Sequence, residues 1–580
     1  MTETPSPTEL VIGLVGAVGT DLDMVSTDIE LALDTYGYSA KEIRLSSLLA
    51  ELNWDEQLPS EPLDQHIWTH MDAGNRLRFC WERGDAMALL ALTEIAAVRE
   101  ELGSETYEGD ARTKSLDRFA FILRSLKHPE EVELLRSIYG SRFILIAAYA
   151  PEAIRRRAVE EQLVKAHRSD DQSNWFKRVD ELMARDESET EPAPEGFPKD
   201  TEADGVEKQG GPASGGEDGQ NSADAPRTAD EAAQKSDEVP QKIWGQNLRD
   251  TFHRADFFVD AQEDVGLRDA IDRVIAILFS HPFKTPTRDE YGLFAAEGAS
   301  RQSAELGRQV GAAIATPKGD VVALGSNEVP KAGGGVYWEN GKGNEDCGIK
   351  EGDGREFRNP VDTNDRMKRE IALEIVDELS KERFLTGAGE SQAPALLAAL
   401  EKTRLGDLIE FGRAVHAEMA ALMDAARRGV SVQGCTLYTT TFPCHNCARH
   451  IVAAGIMRVV YVAPYAKSQA KELHADAIDF AEANPRKEAV QFEPFVGVAP
   501  RRYLELFEAA NRKEDDGTVV DPVPSEADLN IPDIEPEDLQ QEIPSYRQRE
   551  TIALDLVGDR FDKTGLQFEE KENEGDSGGK

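Results

Sequence analysis

The chain alternates short, wholly apolar runs with segments whose apolar positions recur at helical spacing. ELVIGLVG, from Glu9 to Gly16, is nearly all apolar and runs into the turn AVGTDLD. A run this short, ending at glycine, predicts a buried strand. RFAFILRSL (Arg118 to Leu126) and RFILIAAYA (Arg142 to Ala150) repeat the pattern between polar segments, as parallel strands of a βαβ array do. GQNLRDTFHRADFFVD (Gly245 to Asp260) predicts one further helix and strand completing that unit. From Ala261 a second α/β unit begins. Within it QVGAAIA (Gln309 to Ala315) and DVVALG (Asp320 to Gly325) predict a hairpin around PKG, and TLYTT and RVVYVA predict further strands. A long interruption, partly glycine-rich and partly helical, separates Glu328 from Gly412.

Two stretches lack apolar residues and read differently. Residues 186–240 are rich in Glu, Asp, Gly, Pro, Ser and Ala, cannot offset their own ordering entropy, and are expected to be disordered. The acidic tail 513–580 is expected to be partly disordered, although ETIALDLVGDRF has enough apolar residues to dock. The expected partition is therefore 1–185 completed by 241–260, an acidic insertion at 186–240, a second domain at 261–512, and the tail. The formal charge of −43 makes a general nucleic-acid binder a poor fit. Apolar runs of membrane-spanning length are missing, and five scattered cysteines do not make a disulfide scaffold. A cytoplasmic protein that does not enter membranes is expected.

Gly13, Gly16 and Gly19 follow the first strand, where glycines let backbone N–H groups close on an anion. The full phosphate-loop pattern GxxxxGK[ST] fails when counted from Gly16, because Asp21, Leu22 and Asp23 stand where Gly, Lys and Ser/Thr are required. GLVGAVGT nonetheless resembles the loop of small nucleotide kinases, and HPEEVELLR and APEAIRRR resemble their later segments. Three readings stay open. Gly16, Gly19 and Thr20 hold a nucleotide or other ligand for regulation, form a structural turn in an α/β core, or belong to an active kinase.

The chemistry concentrates between His416 and Ile456. His416-Ala417-Glu418 opens a helical pattern, and Pro443-Cys444-His445-Asn446-Cys447 opens another. A catalytic zinc needs three protein ligands and an open position, which His416, Cys444 and Cys447 supply, with Glu418 left to move protons. A structural zinc would need a fourth ligand, for which Cys435 is the nearest spare cysteine, and a redox CxxC would leave the His-x-Glu pair unexplained. The spacing is the H-x-E…P-C-x-x-C signature of zinc deaminases. VHAEMAAL, GCTLYTTTFPCHNCARHIVAAGIMRVVYVAPY and RQVGAAI…GSN closely resemble the deoxycytidylate deaminase branch of that family.

The resemblance implies hydrolytic deamination at C4 of a cytosine ring, with Glu418 carrying the proton of water to N3 and then to the departing amine. It also implies that backbone at Ala417 reads the base edge, that Asn327 contacts a ribose hydroxyl, and that Tyr465 lies against the substrate. Cys347, within the interruption, is either a ligand of a second zinc or a surface thiol. The expected fold is α/β: an N-terminal P-loop kinase-like parallel-sheet domain plus a C-terminal three-layer α/β/α cytidine-deaminase-like domain. That pairing, with PYAKSQA and PFVGVAPRRYLELF, resembles the bacterial anti-phage deoxycytidine nucleotide deaminases. The resemblance implies free dCTP or dCMP as substrate, depletion of the dCTP pool, a homo-oligomer, and a nucleotide or RNA regulator at the N-terminal domain. A polynucleotide editor of cytosine or adenine, or a silent nucleotide-binding relative, would be the alternatives.

Overall fold

The apolar runs of the first half lie side by side, because helices cover both faces of the sheet they form. The computed structural model describes residues 9–54, 57–103, 115–166, 172–187, 245–262, 266–339, 354–382, 389–406, 408–465, 468–480, 486–508, 511–524, 529 and 545–568. The first unit runs β1 (Glu9–Gly16), α1 (Leu22–Thr35), β2 (Ser39–Arg44), α2 (Leu45–Ala50), α3 (Leu63–Trp81) and α4 (Ala86–Gly103). It continues β3 (Phe119–Arg124), α5 (Pro129–Tyr139), β4 (Phe143–Tyr149), α6 (Glu152–Ala166), α7 (Gln172–Glu187), α8 (Leu248–Phe252) and β5 (Phe257–Asp260). Next come α9 (Leu267–Leu278), α10 (Arg288–Ser300), β6 (Gly311–Ala315), β7 (Val321–Ser326), α11 (Thr363–Lys381), α12 (Gly389–Glu401) and α13 (Ala417–Arg428). β8 (Thr436–Thr441), α14 (His445–Ala453), β9 (Arg458–Ala463), α15 (Ala470–Leu473), β10 (Ile478–Phe480) and β11 (Val490–Pro494) follow. The chain ends in β12 (Gly497–Val498), α16 (Tyr503–Leu506) and α17 (Tyr546–Thr564).

The first sheet has the order β12-β5-β4-β1-β3-β2, all parallel except β12, which runs antiparallel to β5. β1 is central and buried along its whole length. Alternation assigns its side chains: Leu10, Ile12 and Leu14 pack with Val25 and Ile29 of α1, and Val11 and Val15 pack with Leu89 and Leu92 of α4. α9 belongs to the first sheet, because Leu267, Ile271, Val274 and Ile275 form an apolar face that joins α1 over it. β12 likewise closes the edge of that sheet from far along the chain.

The second sheet has the order β10-β11-β9-β8-β6-β7, with the expected β6–β7 hairpin antiparallel and β8, β9, β11 and β10 parallel. Ala312 and Ile314 face α13 and α14, whereas Ala313 and Ala315 face Leu293 and Ala296 of α10. The α10 side is continuous, through Phe495 and Phe258, with the core beneath α4. The two units therefore share apolar interior. Both sheets are mixed α/β and dominated by parallel pairing, as the apolar runs predict.

Most of the stretches expected to be disordered, 188–240 and 569–580, lie outside the described residues; Asp186 and Glu187 end α7. ETIALDLVGDRF lies in α17, which packs on α4 and α5. Its Glu550 is buried, accepts from the Tyr139 hydroxyl at 2.5 Å, and pairs with Arg99, which also pairs with buried Glu9. Removing one member leaves a buried charge uncompensated, so Glu550→Ala is expected to cost about 3 kcal/mol or more. A denaturant melt with an unchanged midpoint would show that α17 is dispensable. Among the described residues no helix is long and apolar enough to cross a membrane.

Candidate metal centre and active site

Two helix starts build the site. His416 is the N-cap of α13, in extended geometry, and its carbonyl accepts from Ala420 N at 2.8 Å. Residue 415 is fixed just before it, where Val415 N donates to Glu328 O at 3.0 Å. Cys444 is the N-cap of α14 and its sulfur accepts from Cys447 N at 3.4 Å, so the CxxC spacing places both thiols at one helix end. Gly325 of β7 lets α13 approach, since a Cβ there would lie 2.2 Å from Ala417 O and 2.3 Å from Ala421 N. Gly325→Ala is therefore expected to push back the turn that carries His416 and Glu418, costing about 1–3 kcal/mol. Metal content and thermal midpoint would both fall; an unchanged midpoint would show that the turn has slack.

The donor atoms converge. His416 Nδ1 lies 3.2 Å from Cys444 Sγ and 3.3 Å from Cys447 Sγ, and all three lie within 4.8 Å of one another. This is the one such group among the described residues. Cys435 is not part of it; it packs in the core between sheet and helices, where burial raises its thiol. His450 bonds the carbonyl of Asn446, and neither it nor His445 belongs to the group. Two thiols and an imidazole with no fourth protein ligand fit a zinc ion that keeps an open position.

Glu418 stands beside the ligands, its Oε2 3.4 Å from Cys447 Sγ, and is 4% exposed. Burial, followed by the charge on Cys444, pushes its carboxyl up to about 6. The Cys444 thiol is lowered to about 4, first by its hydrogen bond with Cys447 and then by His416, while Cys447 is raised well above its ordinary value, first by that same bond.

The other expected site residues are placed unevenly. Ala417 is fully buried at the first turn of α13, next to the metal ligands. Asn327, the expected ribose contact, also has a bracing role. Its Oδ1 accepts from Val310 N at 2.7 Å and its Nδ2 donates to Arg308 O at 2.7 Å, so the amide braces the loop before β6. Tyr465 lines a cavity of about 370 Å³ between the two units, together with Phe442, Tyr149, Arg155 and Thr20. Gly16, Gly19 and Thr20 lie at the carboxyl end of β1, far along the chain from the metal ligands, and Thr20 reaches that same cavity. Gly19 has φ +86°, and a Cβ there would lie 2.4 Å from Arg155 O. Cys347 lies outside the described residues.

Motif counting missed Lys127. No cation occurs in GLVGAVGTDLD, but Lys127, just past β3, donates from Nζ to Gly16 O at 2.8 Å. The signal that could have found it is its place at the carboxyl end of the strand beside β1.

Comparison with known proteins bears on the stretch that holds the ligands. Residues 286–463 match the family model for the cytidine and deoxycytidylate deaminase zinc-binding region. The C-terminal part of the chain is deaminase-like, and its His/Cys/Cys cluster is one that could hold the zinc of that region. Deoxycytidylate deaminase of Enterobacteria phage T2 is 44% identical over 55 residues, covering 10% of this chain and 29% of the relative. The probable deoxycytidylate deaminase of Drosophila melanogaster is 32% identical over 102 residues, 16% of this chain and 49% of the relative. The chain thus spans half or less of these relatives. Crystalline dCMP deaminase from cyanophage S-TIM5 is 18% identical with a TM-score of 0.19, over 36% of this chain and 99% of that one.

Proposed function

We propose that the protein is a zinc-dependent deaminase of free deoxycytidine nucleotides, dCTP or dCMP, releasing ammonia and the deoxyuridine nucleotide. The observation that carries this reading is Glu418: a buried carboxyl with its pKa pushed up to about 6, at the edge of a three-donor metal set. Such a group both takes and returns a proton near neutral pH. Zinc, when bound by His416, Cys444 and Cys447, supplies the Lewis acidity that makes water a nucleophile at that pH. Glu418 would take one proton from water and pass it to N3 as oxygen adds to C4, then take the proton of the new C4 hydroxyl and pass it to the amino group as the C–N bond breaks and ammonia leaves. Ala417, buried at the turn, orients backbone toward the base. Asn327 has one amide N–H left for a sugar hydroxyl, while its bracing bonds hold the loop in place.

The N-terminal unit acts as a regulator in this reading. Thr20 and Tyr465 line one cavity, which gives the glycine loop a route to the loop following β9, and Ser468 there donates to Pro443 O at 2.8 Å beside Cys444. An open groove with exposed Leu324, Trp338 and Met423 favours assembly of several copies. Resemblance extends the role to depletion of the dCTP pool during phage infection, in the cytoplasm. The charge of −43 weighs against an editor of polynucleotides.

The test is an assay of the purified full chain with dCMP, dCTP, CMP, CTP and a cytosine-bearing single-stranded oligonucleotide. Uracil product and ammonia are expected from at least one deoxycytidine nucleotide and not from the oligonucleotide. Product from the oligonucleotide alone, or from none of them with zinc bound, overturns the reading.

A further inference from the structure

The backbone of the glycine loop is already engaged by an acidic side chain. Asp186, one residue before the end of α7, is 1% exposed and reaches into the turn after β1. Val18 N donates to its Oδ2 at 2.7 Å, and Lys127 Nζ donates to its Oδ1 at 2.8 Å while also donating to Gly16 O. A glycine-turn N–H and a lysine on one oxyanion are the surroundings in which a phosphate oxygen is held.

The cavity does not stop at Asp186. It has a volume of about 270 Å³ and continues along His70, Arg78 and Gln246. Two polar atoms on its wall are buried without partners: Nε of Arg78, whose side chain is 3% exposed, and Oε1 of Gln246, 7% exposed. The Arg78 N–H is a donor that an anion would satisfy, and the Gln246 carbonyl oxygen is an acceptor for a hydroxyl or amine of a larger ligand. Along its length α7 is held on α3, where Arg178 and Arg185 stack on Trp68 and Arg185 pairs with Asp72, so only its last turn is free to exchange. The helix meets α6 through Val159, Leu163, Val179 and Met183, a cluster separate from the main cores.

We propose that this cavity is a phosphoanion site in which Lys127 is the cation and Asp186 a built-in competitor, so that phosphate binding and docking of the end of α7 exclude each other. The proposal rests on the regulatory reading of the N-terminal unit and adds how its site is kept closed. A phosphate entering the turn takes the Val18 N–H and the Lys127 ammonium, Asp186 is expelled by like charge, and the last turn of α7 moves with it.

The experiment uses the full chain and inorganic pyrophosphate, with ATP as a second probe to separate a nucleotide from a free polyphosphate. Calorimetry compares the parent with Asp186→Asn and Lys127→Met, and hydrogen exchange follows residues 172–187 in the parent. Asp186→Asn is expected to bind pyrophosphate about tenfold more tightly, equivalent to about 1.4 kcal/mol. Lys127→Met is expected to lose binding, and pyrophosphate should speed exchange in the end of α7 of the parent, a readout that depends on no variant. ATP binding more tightly than pyrophosphate marks the ligand as a nucleotide, and equal affinity marks it as a polyphosphate; both support the site. Equal affinities of parent and Asp186→Asn, with α7 exchange unchanged, overturn the competition while nucleotide regulation stands. No binding by any form overturns the site and the regulatory reading together.

Discussion

Glu418→Ala protein is expected to keep its zinc and its fold while deamination falls by about 10³-fold or more, within the span that positioned acid–base groups contribute. The reason is geometric. Glu418 lies 3.4 Å from a ligand sulfur and outside the converging donor set, so its loss removes no metal bond. What disappears is a buried carboxyl whose pKa, near 6, suits both directions of proton transfer. Glu418→Gln keeps the shape and removes only the titration, and should be as inactive as the alanine variant. If Glu418→Gln retains most of the parental turnover, the proton-carrying role is wrong. If either variant loses its zinc, the carboxylate belongs among the ligands instead.

Replacing one thiol should do the opposite. Cys447→Ala is expected to bring zinc from about one ion per chain to near zero, with activity lost in parallel, because two remaining ligands cannot hold the ion against water. Cys447 is fully buried in the core beneath α13 and α14, so a lower thermal midpoint should accompany the loss. Zinc uptake by metal-stripped parent should also release protons, since the Cys447 thiol, raised well above its ordinary value, must lose its proton to bind the ion. Metal analysis, calorimetry in two buffers of different ionisation enthalpy and a turnover assay check all three. Full zinc occupancy in Cys447→Ala would locate the metal elsewhere.

The site was legible in sequence because its parts are local devices. His416 and Cys444 each cap a helix, Cys447 lies one turn beyond its partner, and one residue separates His416 from Glu418. Spacing of that kind reports chemistry directly. The strands were legible for a similar reason, since β1, β3 and β4 are apolar on both faces and have no other way to be buried.

What the sequence did not disclose depends on residues far apart. Asp186 sits in an acidic stretch that reads as solvated, yet it is buried against Lys127, 59 positions away. Asn327 matches a substrate-contact pattern, and that pattern does not show that its amide also braces the turn before β6. α9 and β12 follow the apparent domain boundary, and still cover the first sheet because its face and edge would otherwise be left unpaired. By itself the sequence determined which three donors converge, the carboxylate beside them and most strands, all written in short-range spacing and apolar patterning. Only the tertiary structure decided which charged groups meet and which unit each helix covers, because partner choice depends on burial and distance that no local pattern encodes.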